Sequence, residues 1–195
     1  MIRRHNARFN KDSCVIVAGD YFATKQDMVI ETVLGSCIAV CLLDEKNGIT
    51  GMNHFMLPAD RGGGSEQRAG RYGTNAMELL INEMMHLGAD RFSIRAKVFG
   101  GGNVNTTSPR TLRVGDWNTQ FALDFLKAEG FPVASKDVGG NTGRRIVLFT
   151  ETGNVKLRRL GQREVGDVLQ EEIQYRSRIV EQPPTEHHEG ELTLF

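Results

Sequence analysis

Residues 37–44 read CIAVCLLD and are apolar at almost every position. An element of that length, with no face left to meet water, is a strand covered on both sides. The tetrapeptide EKNG follows, in which Asn47-Gly48 is a hairpin turn signal. ITGMNHFMLP (49–58) then returns as a second strand stopped by Pro58. The pair predicts an antiparallel hairpin held inside a layered sheet structure.

The rest of the chain is arranged around that hairpin. Residues 1 to about 13 are polar and basic and are expected to be loose. A short strand with a turn at Gly19-Asp20 is expected over 15–25, and another strand over 28–35, ending at Gly35. Residues 59–71 read as a glycine-rich, charged loop. Residues 74–88 predict a helix, with Ala76, Met77, Leu80, Ile81, Met84 and Leu87 at helical spacing, Asn75 and Glu78 at capping-box spacing, and Gly88 as the stop. Residues 91–102 read as an alternating strand running into three glycines, with Phe92, Ile94, Ala96 and Val98 on one face. After a polar, irregular stretch, 116–130 predicts a second helix capped by Asp116, with Trp117, Phe121, Phe125 and Leu126 supplying its apolar stripe. Three further strands are expected over 131–160, with a hairpin turn at Gly153-Asn154. Beyond residue 162 the pattern weakens into a segment compatible with a helix and then a tail. About eight strands and two main helices predict one α+β layered domain over 15–162. A flexible segment (1–14) precedes it, and a C-terminal extension and tail (163–195) follow.

Composition excludes some roles. Lys plus Arg is 24 and Asp plus Glu is 24, so net charge makes no case for a nucleic-acid or anionic-membrane partner. The cysteines are Cys14, Cys37 and Cys41, an odd number that argues against a disulfide framework. Along one strand Cys37 and Cys41 would stand roughly 13 Å apart, at about 3.3 Å per residue, too far to bridge. Thiols suggest a reducing compartment. The opening MIRRHNARFN has no apolar core of a secretory signal, and no apolar run approaches the ~20 residues needed to span a bilayer. The expectation is a soluble, cytoplasmic protein with no membrane insertion.

The hairpin also holds the candidate chemistry. Cys37 follows Gly35-Ser36, where one strand ends and the next begins. It could be a buried core thiol, a common fate for cysteine. The alternative is a cysteine at a bend facing a cleft, as a nucleophile whose neighbouring backbone N–H groups stabilise an oxyanion. His54 shares a strand face with Met52 and Met56 and could be a satisfied core residue. If the two strands pair around 45–48, position 38 or 39 lies opposite 54 or 55. Cys37 and His54 are then near neighbours at one end of the hairpin, placed as nucleophile and base. Thr32, Asn53, Ser36 and Glu31 are all near enough in sequence to orient the base, and spacing does not select among them. A zinc site built on Cys37, Cys41 and His54 lacks a fourth ligand and holds its thiols too far apart. GGGN at 100–103 lacks the phosphate-loop fingerprint and reads better as tight backbone packing beside the cleft. No cofactor is implied.

Five blocks occur in order: LGSCIAVCLLD, GMNHFMLP, RYGTNAMELLINEM, KVFGGGN and DVGGNTGRRIVLFTETGNV. Together they resemble the chemoreceptor glutamine deamidase CheD family over residues 15–160. The resemblance implies an α/β/β layered fold, mostly antiparallel, like the catalytic domain of bacterial deamidating toxins. It implies a Cys-His-Thr triad in which Cys37 is the nucleophile, His54 the base and Thr32 the third member. Family members carry that threonine six positions before the cysteine, where this chain has Glu31; Thr32 is five before. The implied substrate is a glutamine in the helical cytoplasmic region of methyl-accepting chemotaxis receptors, converted to glutamate through a thioester. Receptor methylesterase activity and a CheC-like phosphatase partner are implied for some members. The alternative reading is a non-catalytic adaptor for receptors or such a phosphatase, motivated by Glu31 at the usual threonine position.

Overall fold

A computed structural model of the chain describes residues 1–57, 65–104 and 114–181. Numbered along the chain, the strands are β1 (Ile2–Asn6), β2 (Lys11–Val15), β3 (Tyr21–Thr24), β4 (Val29–Leu34), β5 (Ile38–Asp44), β6 (Ile49–Phe55), β7 (Arg95–Gly100), β8 (Val133–Val138), β9 (Arg144–Phe149) and β10 (Val155–Arg159). The helices are α1 (Ser65–His86), α2 (Val114–Ala128) and α3 (Gln162–Glu181).

The apolar run forms β5, every residue of which is buried. β5 lies centrally in a sheet of order β3-β6-β5-β7-β8, antiparallel to β6 and β7. A second sheet, of order β1-β2-β4-β9-β10, packs against one face of the first. The alternation of β5 explains why it reads as continuously apolar. Ala39, Cys41 and Leu43 face the inter-sheet core with Ile30, Leu34, Met52, Ile146 and Leu148. Ile38, Val40 and Leu42 face the opposite way, against Met77, Leu80, Met84, Ala122 and Leu126 of α1 and α2. The layers are therefore helix, sheet and sheet, an α+β fold. Among the described residues six strand pairings are antiparallel, and β2–β4 and β7–β8 are parallel.

Several local expectations are corrected. The N-terminal residues are not loose: β1 and β2 pair antiparallel from Ile2↔Val15 to Asn6↔Lys11, and β2 adds parallel to β4. β1 is an edge strand with almost every residue exposed, so its polar, basic composition is that of a protected edge. α1 begins at Ser65, so residues 65–71 are helical and the Asn75/Glu78 spacing lies inside the helix rather than at its cap. Residues 59–64 of the expected loop lie outside the described residues. The glycines that suggested a loop allow close packing instead: a Cβ on Gly73 would come within 2.4 Å of the Phe121 ring. Phe92 belongs to a 3-10 turn (Arg91–Ser93) and is 98% exposed, because β7 starts only at Arg95. Trp117 is half exposed; the inward face of α2 carries Asn118, Ala122 and Leu126. The weak C-terminal pattern is a 20-residue helix, α3, so main helices number three rather than two among the described residues. The irregular stretch over 105–113 and the tail from residue 182 lie outside the described residues.

Candidate active site

Gly35, Ser36 and Cys37 carry the chain from β4 in one sheet to β5 in the other. All three carbonyls of this crossover are held from one side. The Gly35 carbonyl accepts from Gly102 N–H at 2.8 Å and the Cys37 carbonyl from Gly101 N–H at 2.7 Å. The Ser36 carbonyl accepts from Asn118 Nδ2 at 2.7 Å, while Asn118 Oδ1 accepts from Leu57 N–H at 2.8 Å. The glycine run 100–102 is required by this clasp. Gly100 has φ +117, and a Cβ there would fall 2.2 Å from the Cys37 carbonyl oxygen. The buried Arg144 guanidinium donates to the Gly100 and Gly139 carbonyls and pairs with Asp137 at 3.1 Å, fixing the run from behind.

The N–H groups of the crossover face the other way. Gly35 N–H and Cys37 N–H both donate to Oε1 of Glu172 on α3, at 3.1 and 2.9 Å. The Ser36 hydroxyl donates to Oε2 at 2.7 Å. Two backbone donors converging on one anionic oxygen, next to a cysteine, form a site for an oxyanion.

His54 reaches the same end of the sandwich from β6. It pairs with Ala39, as the register Ile38↔Phe55 and Ala39↔His54 sets. Cys37 stands two residues from Ala39 on the same inward face, in one core cluster with Ala39, Met52 and Met56. Cys37 and His54 are thus diagonal neighbours across the pair, a relationship with typical separations of about 7–8 Å between Cα atoms. The His54 backbone is gripped by the turn before β3: Gly19 N–H donates to its carbonyl at 2.8 Å, and its own N–H donates to the Asp20 carbonyl at 3.0 Å.

Thr32, on β4 of the facing sheet, meets the imidazole: Thr32 Oγ1 lies 2.8 Å from His54 Nδ1. The same hydroxyl donates to the Ile16 carbonyl at 2.8 Å. A threonine hydroxyl has one proton to give, so the ring must donate from Nδ1 and Oγ1 must accept. This fixes the tautomer with Nε2 unprotonated and basic. Nε2 is buried and has no hydrogen-bond partner among the described residues. Burial pushes the His54 pKa down to about 4, against a smaller opposing pull from Asp20, so the ring is neutral at neutral pH.

The structure therefore brings the three residues singled out in the sequence to one end of the sandwich. Glu31 alternates to the outer face of its sheet, where it accepts from Asn6 Nδ2 at 2.8 Å and lies 3.6 Å from Arg4. Of the other orienting candidates, Asn53 bonds to Val40 N–H and the Ala76 carbonyl, and Ser36 to Glu172. Cys41 lies two same-face positions deeper, beyond Ala39, and burial pushes its thiol up to about 12.

A cavity of about 390 Å³ opens beside this end, lined by Thr32, His54 and Ile16 on one side and by Val168, Glu172 and Tyr175 of α3 on the other. Cys37 lies beneath α3, fully buried. Tyr175 stacks over Gly19, where a Cβ would meet its ring at 3.0 Å, and its hydroxyl bonds to that of Tyr72 on α1. Sequence reasoning missed Glu172, Tyr175 and Asn118; the glycines of 100–103, read there as tight backbone packing beside the cleft, do pack in that way against the crossover. The available signal was a glutamate at the middle of an i, i+4, i+7 stripe, Val168-Glu172-Tyr175, where a burying helix should carry an apolar residue.

The sequence model of the family described as CheD chemotactic sensory transduction matches residues 56–159. A protein of Shewanella oneidensis named probable chemoreceptor glutamine deamidase CheD 1 is 42% identical, over 99% of this chain and 92% of that protein. The probable chemoreceptor glutamine deamidase CheD of Cupriavidus pinatubonensis is 45% identical, over 78% of this chain and 71% of its own. Among solved structures, Bacillus licheniformis hypothetical protein YfiH aligns with a TM-score of 0.35 at 14% identity, covering 63% of this chain and 50% of that one.

Proposed function

The chain belongs to the CheD family, and from that membership and the geometry of the crossover we propose that it deamidates glutamine side chains of chemoreceptors with Cys37 as nucleophile. The observation that carries the reading is the hydrogen-bond chain from the Ile16 carbonyl through Thr32 to His54, which leaves Nε2 as the basic nitrogen on the inward face it shares with Cys37.

In this reading His54 Nε2 takes the Cys37 thiol proton as Sγ bonds to the glutamine carboxamide carbon. The negative charge that develops on the carbonyl oxygen is met by Gly35 N–H and Cys37 N–H, in the position Glu172 Oε1 occupies. The C–N bond then breaks and His54 returns the proton to the departing ammonia. Water, deprotonated by the same nitrogen, cleaves the thioester, leaving glutamate and the thiol. Thr32 holds the ring in the required tautomer throughout. The same acyl chemistry extends to receptor methyl esters, with methanol in place of ammonia, and methanol release from a methylated receptor tests that extension. A CheC-like phosphatase is the partner to test by co-purification. The adaptor reading was motivated by Glu31; its motive weakens once Thr32 supplies the hydroxyl to His54.

The experiment is mass spectrometry of a receptor cytoplasmic fragment after incubation with wild-type and Cys37→Ala protein under reducing conditions. Conversion of glutamine to glutamate by the wild type alone is expected. No conversion on any cognate receptor would count against the activity.

A further inference from the structure

The mechanism above has no use for α3, yet α3 places a carboxylate where the reacting group must go. Glu172 is buried within a helix, and its two oxygens take three donors of the crossover: Gly35 N–H, Cys37 N–H and the Ser36 hydroxyl. Its Oε1 sits where two backbone N–H groups converge, the place a glutamine carbonyl oxygen would take. Its carboxylate has the shape and charge of the glutamate that deamidation produces. The rest of the stripe fits the same picture. Val168, four residues earlier, is buried at the cavity, and Tyr175, three residues later, is seated over Gly19 and bonded to Tyr72. With α3 in place Cys37 has no exposed surface, so no side chain from outside can reach it.

Resting on the deamidase reading, we propose that α3 is a built-in mimic of the substrate helix: it occupies the receptor's seat with Glu172 in the position of the modified glutamine, and so blocks the resting enzyme. Two consequences follow. The substrate is a helix that presents its glutamine flanked by an apolar residue four positions before and an aromatic or apolar residue three positions after. Turnover requires α3 to swing off the crossover, and a receptor helix competes with it for the same donors.

The test uses the full chain in three variants. In Glu172→Gln the mimic becomes a substrate in cis. Cys37 Sγ bonds to the carboxamide carbon of the introduced glutamine as its proton passes to His54 Nε2. The C–N bond breaks and ammonia leaves with that proton. Water then cleaves the thioester, regenerating the thiol and restoring glutamate at position 172. Peptide mass spectrometry should show that position reverting to glutamate in this variant and remaining glutamine in the double variant Cys37→Ala/Glu172→Gln. In Glu172→Ala, iodoacetamide labelling of Cys37 should accelerate by about tenfold or more over wild type, the scale of losing a hydrogen bond to a charged group, and Tyr175→Ala, which removes the bond to the Tyr72 hydroxyl and loosens α3 away from the crossover, should accelerate it independently. Equal labelling rates in wild type and both variants would overturn the proposal. So would an introduced glutamine that stays intact at position 172 while the same Glu172→Gln protein converts receptor glutamines. Faster labelling with no glutamine converted anywhere would leave α3 a cover that mimics no substrate, and the deamidase reading would be what fails.

Discussion

His54 Nδ1 lies 2.8 Å from Thr32 Oγ1, and that hydroxyl is committed to the Ile16 carbonyl. One hydroxyl proton thereby decides which imidazole nitrogen is basic. Thr32→Val keeps the shape and removes the acceptor, so kcat should fall by about 10- to 100-fold, the scale on which an orienting partner of a histidine acts. Thr32→Ser should retain most activity, and Glu31→Gln, on the opposite face of β4, should leave kcat near wild type. Steady-state kinetics on a receptor fragment check all three.

The low pKa of His54 predicts two pH responses. Burial holds it at about 4, below its ordinary value near 6.5, so in the resting protein the ring should stay neutral well below pH 6.5, as NMR titration of the imidazole would show. For stability, the unfolded chain binds the proton first as pH falls. The contribution of neutral His54 is therefore complete above about pH 6.5 and is lost progressively between there and about pH 4, a change of about 3 kcal/mol. Urea denaturation across that range should show this slope in the wild type and a weaker one in His54→Gln.

Cys37 and Cys41 should separate by role. Cys37→Ala should abolish deamidation with a stability loss of about 1–2 kcal/mol, and Cys41→Ala should lose a similar amount of stability while retaining activity. Cys41, its thiol pushed up to about 12 by burial, should resist alkylation in the native state even when α3 is loosened. Peptide mapping after labelling distinguishes them.

Gly100 carries both backbone and site. With φ +117 and the Cys37 carbonyl 2.2 Å from an added Cβ, Gly100→Ala should displace the Gly35–Cys37 crossover, reducing activity strongly and costing about 2–4 kcal/mol. Gly48→Ala, also at positive φ but with open space around it, should cost only about 1 kcal/mol and leave activity intact. Chemical denaturation alongside turnover separates the two effects.

How much of this was legible in the sequence differs by residue. β5 and β6 were readable because their signals are local: a run buried on both faces, and a turn at Asn47-Gly48 that sets the register. That register puts His54 opposite Ala39 and hence beside Cys37. The choice of Thr32 over Glu31 was not local. It depends on which face of β4 packs against the other sheet, and Ile30 and Leu34, in phase with Thr32, mark that face only once both sheets are in place. β1 was missed because an edge strand exposed on both faces has the polarity of a loop. The start of α1 was missed because Gly70 and Gly73 look like loop residues until the close approach of Phe121 to Gly73 is known. Glu172 shows in the sequence only as an acidic residue in a helical stripe, and its role was not legible because its partners, Gly35, Ser36 and Cys37, lie more than 130 positions away and are backbone and hydroxyl donors that no side-chain motif announces.

The most direct test of cysteine-dependent deamidation is tandem mass spectrometry of a chemoreceptor cytoplasmic fragment incubated with wild-type, Cys37→Ala and His54→Gln protein. Glutamine converted to glutamate at discrete helical sites by the wild type, and at none by either variant, is the predicted result. Conversion that persists in Cys37→Ala would contradict it.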